Sequence, residues 1–157
     1  MLNKDEHRGG VSTIHLLHRA GQCADELFAE HVGGSGITPR QYAVLEAVAG
    51  SDEPSQTTLV QLTGIDRSTL ADIVRRLVER ELLQRRRTRR DARMYAVRLT
   101  EKGEDALRQA GPAVKSTDER LLSSLPERER EVFLETLAKL VAALGTEPVD
   151  AGRDDPL

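Results

Sequence analysis

From position 85 to 98 the chain reads Arg-Arg-Arg-Thr-Arg-Arg-Asp-Ala-Arg-Met-Tyr-Ala-Val-Arg, directly after a helical pattern and directly before Leu99-Thr100-Glu101-Lys102-Gly103. No other feature constrains the fold as much. A short hairpin so loaded with one charge repels itself and gains little from folding onto its own chain, so its counterpart is an external polyanion. It reads as a DNA-binding wing standing off a core built elsewhere.

The distribution of charge supports this better than the total does. The 157-residue chain has a formal net charge of -3. Residues 65–100 nevertheless hold eleven arginines, no lysine and five acids, a net +6, which leaves -9 for the remainder. A basic module sits in an acidic frame. The exclusive use of arginine matters, because its planar fork pairs bidentately with phosphate oxygens and guanine edges, whereas lysine is a point charge. The bland alternative is a solvated charged face, and the preceding helix pattern weighs against it.

The length suits one domain over 1–157. Aromatic residues make up only 3% and tryptophan is absent, so the core must be aliphatic and is expected to be helical. Nothing at the start resembles a signal peptide and no uncharged apolar run reaches the roughly 18 to 20 residues of a membrane span, so a cytoplasmic protein with no membrane partner is the expectation. The single cysteine, Cys23, excludes an internal disulfide and any multi-cysteine metal site within one chain. No cofactor or metal is expected.

Periodicity gives a mainly α-helical fold with a small β-wing. A first helix spans 11–32 and ends at Gly33-Gly34-Ser35-Gly36. Thr38-Pro39-Arg40-Gln41 is a capping box opening a second helix over 39–49. Ser55 caps a short third helix, and Gly64-Ile65 forms a turn. Asp66 then caps a fourth helix whose Leu70, Ile73, Val74, Leu77 and Val78 repeat at helical spacing. These two helices and their turn make a helix-turn-helix. Strands over 82–87 and 94–99 flank the wing tip. Thr100 caps a fifth helix to about 123 with a bend at Gly111-Pro112, and Ser124-Leu125-Pro126-Glu127 is read as a further capping box opening a sixth. The tail over 145–157 is expected to be frayed.

The segment Ile37-Thr38-Pro39-Arg40-Gln41-Tyr42-Ala43-Val44-Leu45, the helix-turn-helix from 57 to 77, the wing pattern Asp91-Ala92-Arg93 and the run Val97-Arg98-Leu99-Thr100-Glu101-Lys102-Gly103 together resemble the MarR-type winged-helix regulators. With the flanking helices the resemblance covers about 11–144. It implies a DNA-binding lobe over 39–100, dimerisation helices over 11–32 and 101–144, and a homodimer bound across a DNA duplex. For most members it also implies a small-molecule effector that weakens DNA binding. A repressor acting on a palindromic operator is the expectation.

With the apolar stripe of the fourth helix facing the core, Arg67, Ser68, Ala71, Asp72, Arg75 and Arg76 lie on its outer face. Arg67, Ser68 and Thr69 are candidates for base or phosphate contact, Ala71 for a thymine methyl, and Arg75 and Arg76 for phosphates. An acid at 72 is unfavourable beside phosphate and is expected to pair with a neighbouring arginine. In the wing, Asp91 is expected to brace the hairpin, Arg93 to make the minor-groove or phosphate contact that the family's Asp-x-Arg pair implies, and Arg87, Arg89 and Arg90 to add phosphate contacts.

The resemblance places an effector pocket between the dimerisation helices and the winged helix, near His15, His18, Arg19, Gln22 and Arg40. Lined by arginine, it would favour an anionic, aromatic or acyl-thioester ligand. His15 and His18 read more readily as satisfied interface histidines than as a metal pair, which would need further ligands. Cys23 lies about nine residues from the position at which some relatives sense peroxide, so it reads as a buried small hydrophobe.

Other classes fare worse. No phosphate loop or Ser/His/Asp constellation is present, so an enzyme is not expected. A winged helix for non-specific DNA coating or protein contact remains the alternative, separable by competition with unrelated DNA.

Overall fold

The computed structural model describes residues 11–145. Seven helical segments and two strands follow in the order α1 (Thr13–Val32), a 3-10 turn (Gly33–Ser35), α2 (Pro39–Ala49), α3 (Gln56–Thr63), α4 (Arg67–Glu79), β1 (Leu83–Arg87), β2 (Tyr95–Leu99), α5 (Glu101–Ser123) and α6 (Glu127–Leu144). The expected order holds, with the strands one residue shorter than read. The tail beyond Gly145 and the first ten residues, on which the leader-free reading rested, lie outside the described residues.

Local chemistry sets most boundaries. Thr38 and Gln41 form the reciprocal capping box, each accepting the other's backbone N–H at 3.2 Å. Ser55 accepts from the Thr58 amide, Asp66 from Thr69 and Thr100 from Gly103. Gly64 ends α3 in the left-handed conformation at φ 67°, where a glycine costs least.

The expected box at 124–127 is not formed. The Ser124 hydroxyl turns back to the Leu121 carbonyl at 2.6 Å, satisfying an orphan acceptor at the end of α5, and Pro126 stands at the start of α6 without a side-chain cap. Pro112 lies within the single assigned helix α5 and does not terminate it.

An aliphatic core joins the lobe. Val44 and Leu45 of α2, Leu59 of α3, Leu70, Val74 and Leu77 of α4 are fully buried, and Leu83 of β1 and Val97 of β2 close the base. The strands pair antiparallel from Leu83 opposite Leu99 to Arg87 opposite Tyr95. Their inner ends are buried and their outer ends exposed, so the hairpin is anchored in the core and projects its arginines. The α2–α3 loop runs beside β2, where the Val97 amide donates to the Pro54 carbonyl at 2.9 Å.

Outside the lobe, α1 packs on α5, with Phe28, Ala110, Ala113 and Thr117 buried. No residue of α6 is buried. Ile14, Leu16 and Leu17 on α1 and Val132, Phe133, Leu137, Leu140, Val141 and Leu144 on α6 all stand exposed. Cys23, expected to be buried, is also exposed, because the contacts of α1 with α5 run along the face that carries Phe28.

Candidate nucleic-acid interface

The outer face of α4 is as the periodicity implies. Arg67, Ser68, Arg75 and Arg76 are exposed, and Thr69, Ala71 and Asp72 are partly buried. Asp66 organises the N-terminus of the helix by accepting from the Thr69 amide at 2.9 Å and the Ser68 hydroxyl at 2.7 Å. Those hydrogen bonds hold its carboxyl well below the usual carboxylate range. Arg67 takes no part in this cap and, among the described residues, forms no ion pair.

Asp72 is paired as expected, and doubly so. Arg75 reaches it at 2.5 Å and Arg76 at 2.8 Å, while Arg75 also meets Glu79 at 2.6 Å. The hydrogen bond from Arg75, followed by the charge of Arg76, lowers the Asp72 carboxyl against an opposing desolvation. Exposed pairs of this kind are weak, so both guanidiniums can be exchanged to phosphate at small cost.

In the wing, Asp91 braces the tip. Its carboxylate accepts from the Arg93 amide at 2.9 Å, its carbonyl accepts from the Met94 amide at 3.0 Å and the Thr88 hydroxyl at 2.8 Å, and its own amide donates to that hydroxyl. The Arg87 guanidinium lies over the Tyr95 ring, 5.9 Å from its centroid. Arg89, Arg90 and Arg93 are exposed at the tip, with the Arg89 Nε 3.7 Å from the Glu53 carboxylate. The structure thus brings the α4 and wing arginines onto projecting, accessible surfaces.

Sequence reasoning missed two residues that hold this arrangement. Thr88 is the tip's second anchor, legible only from the turn geometry. Glu53 accepts from the Arg89 amide at 2.9 Å and pairs with Arg98, closing contacts across 36 and 45 residues. Arg85, one of the hairpin's arginines, is tied to Gln56 at 3.2 Å.

The five effector candidates fall on exposed positions of α1 and α2, with Arg19 bound to Gln22 at 3.1 Å. None lines the cleft that α1, α2 and α5 enclose. That cleft, about 190 Å³, is bounded by Phe28, Pro39, Tyr42 and Thr117, with Asp25 and Asp118 at its polar side. Burial, then Glu46 and Asp118, raises the Tyr42 phenol above its ordinary value. Among the described residues no group of three or more His, Cys, Asp or Glu could hold a metal, and no helix is long and apolar enough to cross a membrane.

A helix-turn-helix with a buried aliphatic base, an arginine-faced second helix and a two-stranded arginine wing defines a winged-helix DNA-binding protein. Residues 35–94 match the model of the MarR family. The transcriptional regulator HosA of Escherichia coli O127:H6 is 31% identical over 131 residues, covering 80% of this chain and 97% of the relative. Among solved structures, the PcaV regulator of Streptomyces coelicolor in complex with its natural ligand superimposes with a TM-score of 0.75 at 31% identity, over 91% of this chain and 97% of that one. The transcriptional repressor CouR bound to a 23-mer DNA duplex gives 0.74 at 28% identity, over 83% and 92%. The chain belongs to the MarR family of transcriptional regulators; it is not an enzyme.

Proposed function

We propose that the protein is a homodimeric repressor that binds a palindromic operator through α4 and the wing and is released by a small ligand. The carrying observation is that exposed arginines converge on two projecting elements, while the apolar surface of α1 and α6 has no cover among the described residues. A two-fold dimer covering that surface sets its two α4 helices about 34 to 36 Å apart, one DNA turn. Arg67, Ser68 and Thr69 read base edges or phosphates, Ala71 a thymine methyl, Arg75 and Arg76 phosphates, and Arg87, Arg89, Arg90 and Arg93 the groove and backbone beside them, with Asp91 as brace.

The ligand occupies the cleft between α1, α2 and α5. Its apolar floor of Phe28 and Tyr42 suits the ring of an aromatic ligand, and the polar groups of His15, His18, Arg19, Gln22 and Arg40 are the candidates to meet an anionic aromatic or acyl-thioester compound. Complexes of relatives with a natural ligand, and with DNA, support both halves of this reading.

Selection from random duplexes, followed by titration against salt, tests it. The expected result is a palindrome with half-sites one turn apart, bound about 10³-fold more tightly than unrelated DNA. Its log affinity should fall against log salt with a slope of roughly -6 to -9. Binding without any enriched sequence would replace the repressor by a DNA-coating protein.

A further inference from the structure

One carboxylate of the α2–α3 loop reaches both strands' ends of the wing. Glu53 sits in the α2–α3 loop with φ at 50°, a left-handed conformation unusual for a residue with a side chain, and only 12% of that side chain is exposed. One oxygen accepts from the Arg89 amide at 2.9 Å, the other pairs with the Arg98 guanidinium, and the Arg89 Nε lies 3.7 Å away. The next residue, Pro54, accepts from the Val97 amide, so loop and β2 are joined at two adjacent points. Asp52, Glu104 and Arg108 complete the charged surroundings of an open depression of about 600 Å³ beneath the wing base.

Two guanidiniums therefore compete for one carboxylate, and they are not equivalent. Arg98 is two-thirds buried and hydrogen-bonded, whereas the Arg89 side chain is 81% exposed and held at ionic distance alone. The backbone amide of Arg89, by contrast, is fixed. The main chain at the start of the wing tip is thus clamped while its side chain stays free to turn outward.

We propose that Glu53 is the wing-positioning residue of the DNA interface. Its carboxylate sets the angle at which the wing meets the groove, withdraws Arg98 from the phosphate-contacting set, and shares Arg89 with the DNA. This rests on the wing's role in DNA binding. Hydrogen bonding to the Arg89 amide, then to Arg98, holds the Glu53 carboxyl below its ordinary value, so the clamp is charged at neutral pH. A left-handed main chain retained at a glutamate is consistent with a backbone held in place by these contacts.

Glu53→Gln keeps the size of the side chain and removes its charge. With the clamp neutral, Arg98 and Arg89 turn to phosphate, so the salt slope of the dimer should steepen by roughly 1 to 2. The preference for operator over unrelated duplex should fall about tenfold because the wing loses its fixed angle. A residue that only stabilised the fold would weaken both DNAs without steepening the slope. Glu53→Asp keeps the charge on a shorter arm; it should lose preference while keeping the wild-type slope.

Amide hydrogen exchange at Arg89, measured without DNA, should accelerate in both variants. Wild-type slope and preference in Glu53→Gln, or unchanged Arg89 exchange in both variants, would overturn the assignment. Failure of the wild-type protein to prefer any duplex would instead overturn the repressor reading, with the exchange experiment still deciding the clamp.

Discussion

Gly103, in the first turn of α5, has no room for a side chain. A Cβ there would run into the Leu82 carbonyl oxygen and press on Leu99 Cδ2, because the first turn of α5 lies directly against the turn that enters β1. Gly103→Ala should lower stability by about 3 kcal/mol, read as a drop in thermal midpoint, since the obstacle is backbone that cannot step aside. Glu81 is the converse case. It holds φ at 62° on the exposed turn after α4, and its ion pair with Lys102 at 3.5 Å is too exposed to matter. Glu81→Gly should raise stability by about 0.5 to 1 kcal/mol, and a lower midpoint would show that its side chain contributes more than its backbone costs. On the DNA face, Arg67→Ala should relax sequence preference, whereas Arg93→Ala should weaken all duplexes alike and flatten the salt slope by about 1 per subunit. Wild-type behaviour in both variants would remove α4 and the wing from the interface.

The helices were legible in the sequence wherever their limits are set by neighbours three or four residues apart. Thr38 with Gln41, Asp66 with Thr69 and Thr100 with Gly103 are such pairs, and the apolar spacing in α4 fixes which face turns inward. The same rule misled at Ser124, where two helix ends compete for one hydroxyl and the carbonyl behind it prevails. Glu53 was illegible for the opposite reason: its partners lie on another element, and a loop acid gives no local sign of them. His15, His18, Arg19 and Gln22 follow from where the resemblance places a pocket, and their sequence gives no sign of which side of α1 the neighbouring α5 covers. The carboxylates at these caps and clamps carry a joint prediction. Asp66, Asp72 and Glu53 all titrate below their ordinary values when folded. The unfolded chain therefore binds protons first as pH falls, so their stabilisation is complete above about pH 5 and is lost below the ordinary carboxylate range near pH 4. The thermal midpoint should be level from pH 5 to 8 and fall toward pH 3; a midpoint that rises on acidification would contradict the hydrogen-bonding pattern.

At the scale of the whole molecule, no residue of α6 is buried among the described residues. Its stripe from Val132 to Leu144 faces water in a single chain, an arrangement that soluble monomers rarely keep. If the proposed dimer forms through this stripe, Leu140→Glu should leave a monomer in sedimentation where the wild type is a dimer, and reduce operator affinity at least about tenfold, because one half-site must then bind alone. A dimer of unchanged mass would place the interface elsewhere. The charge of the proposed DNA face has a different consequence. Residues 65–100 contain arginine and no lysine, and the lysines of the described residues, Lys102, Lys115 and Lys139, stand on α5 and α6. Lysine acetylation, which discharges basic surfaces in other proteins, finds no acceptor there, and no guanidinium gives up its proton in the physiological range. The arginines of the surface proposed to meet DNA keep their charge across the physiological range, so loss of binding on ligand entry would come from moving the two α4 helices and wings relative to one another.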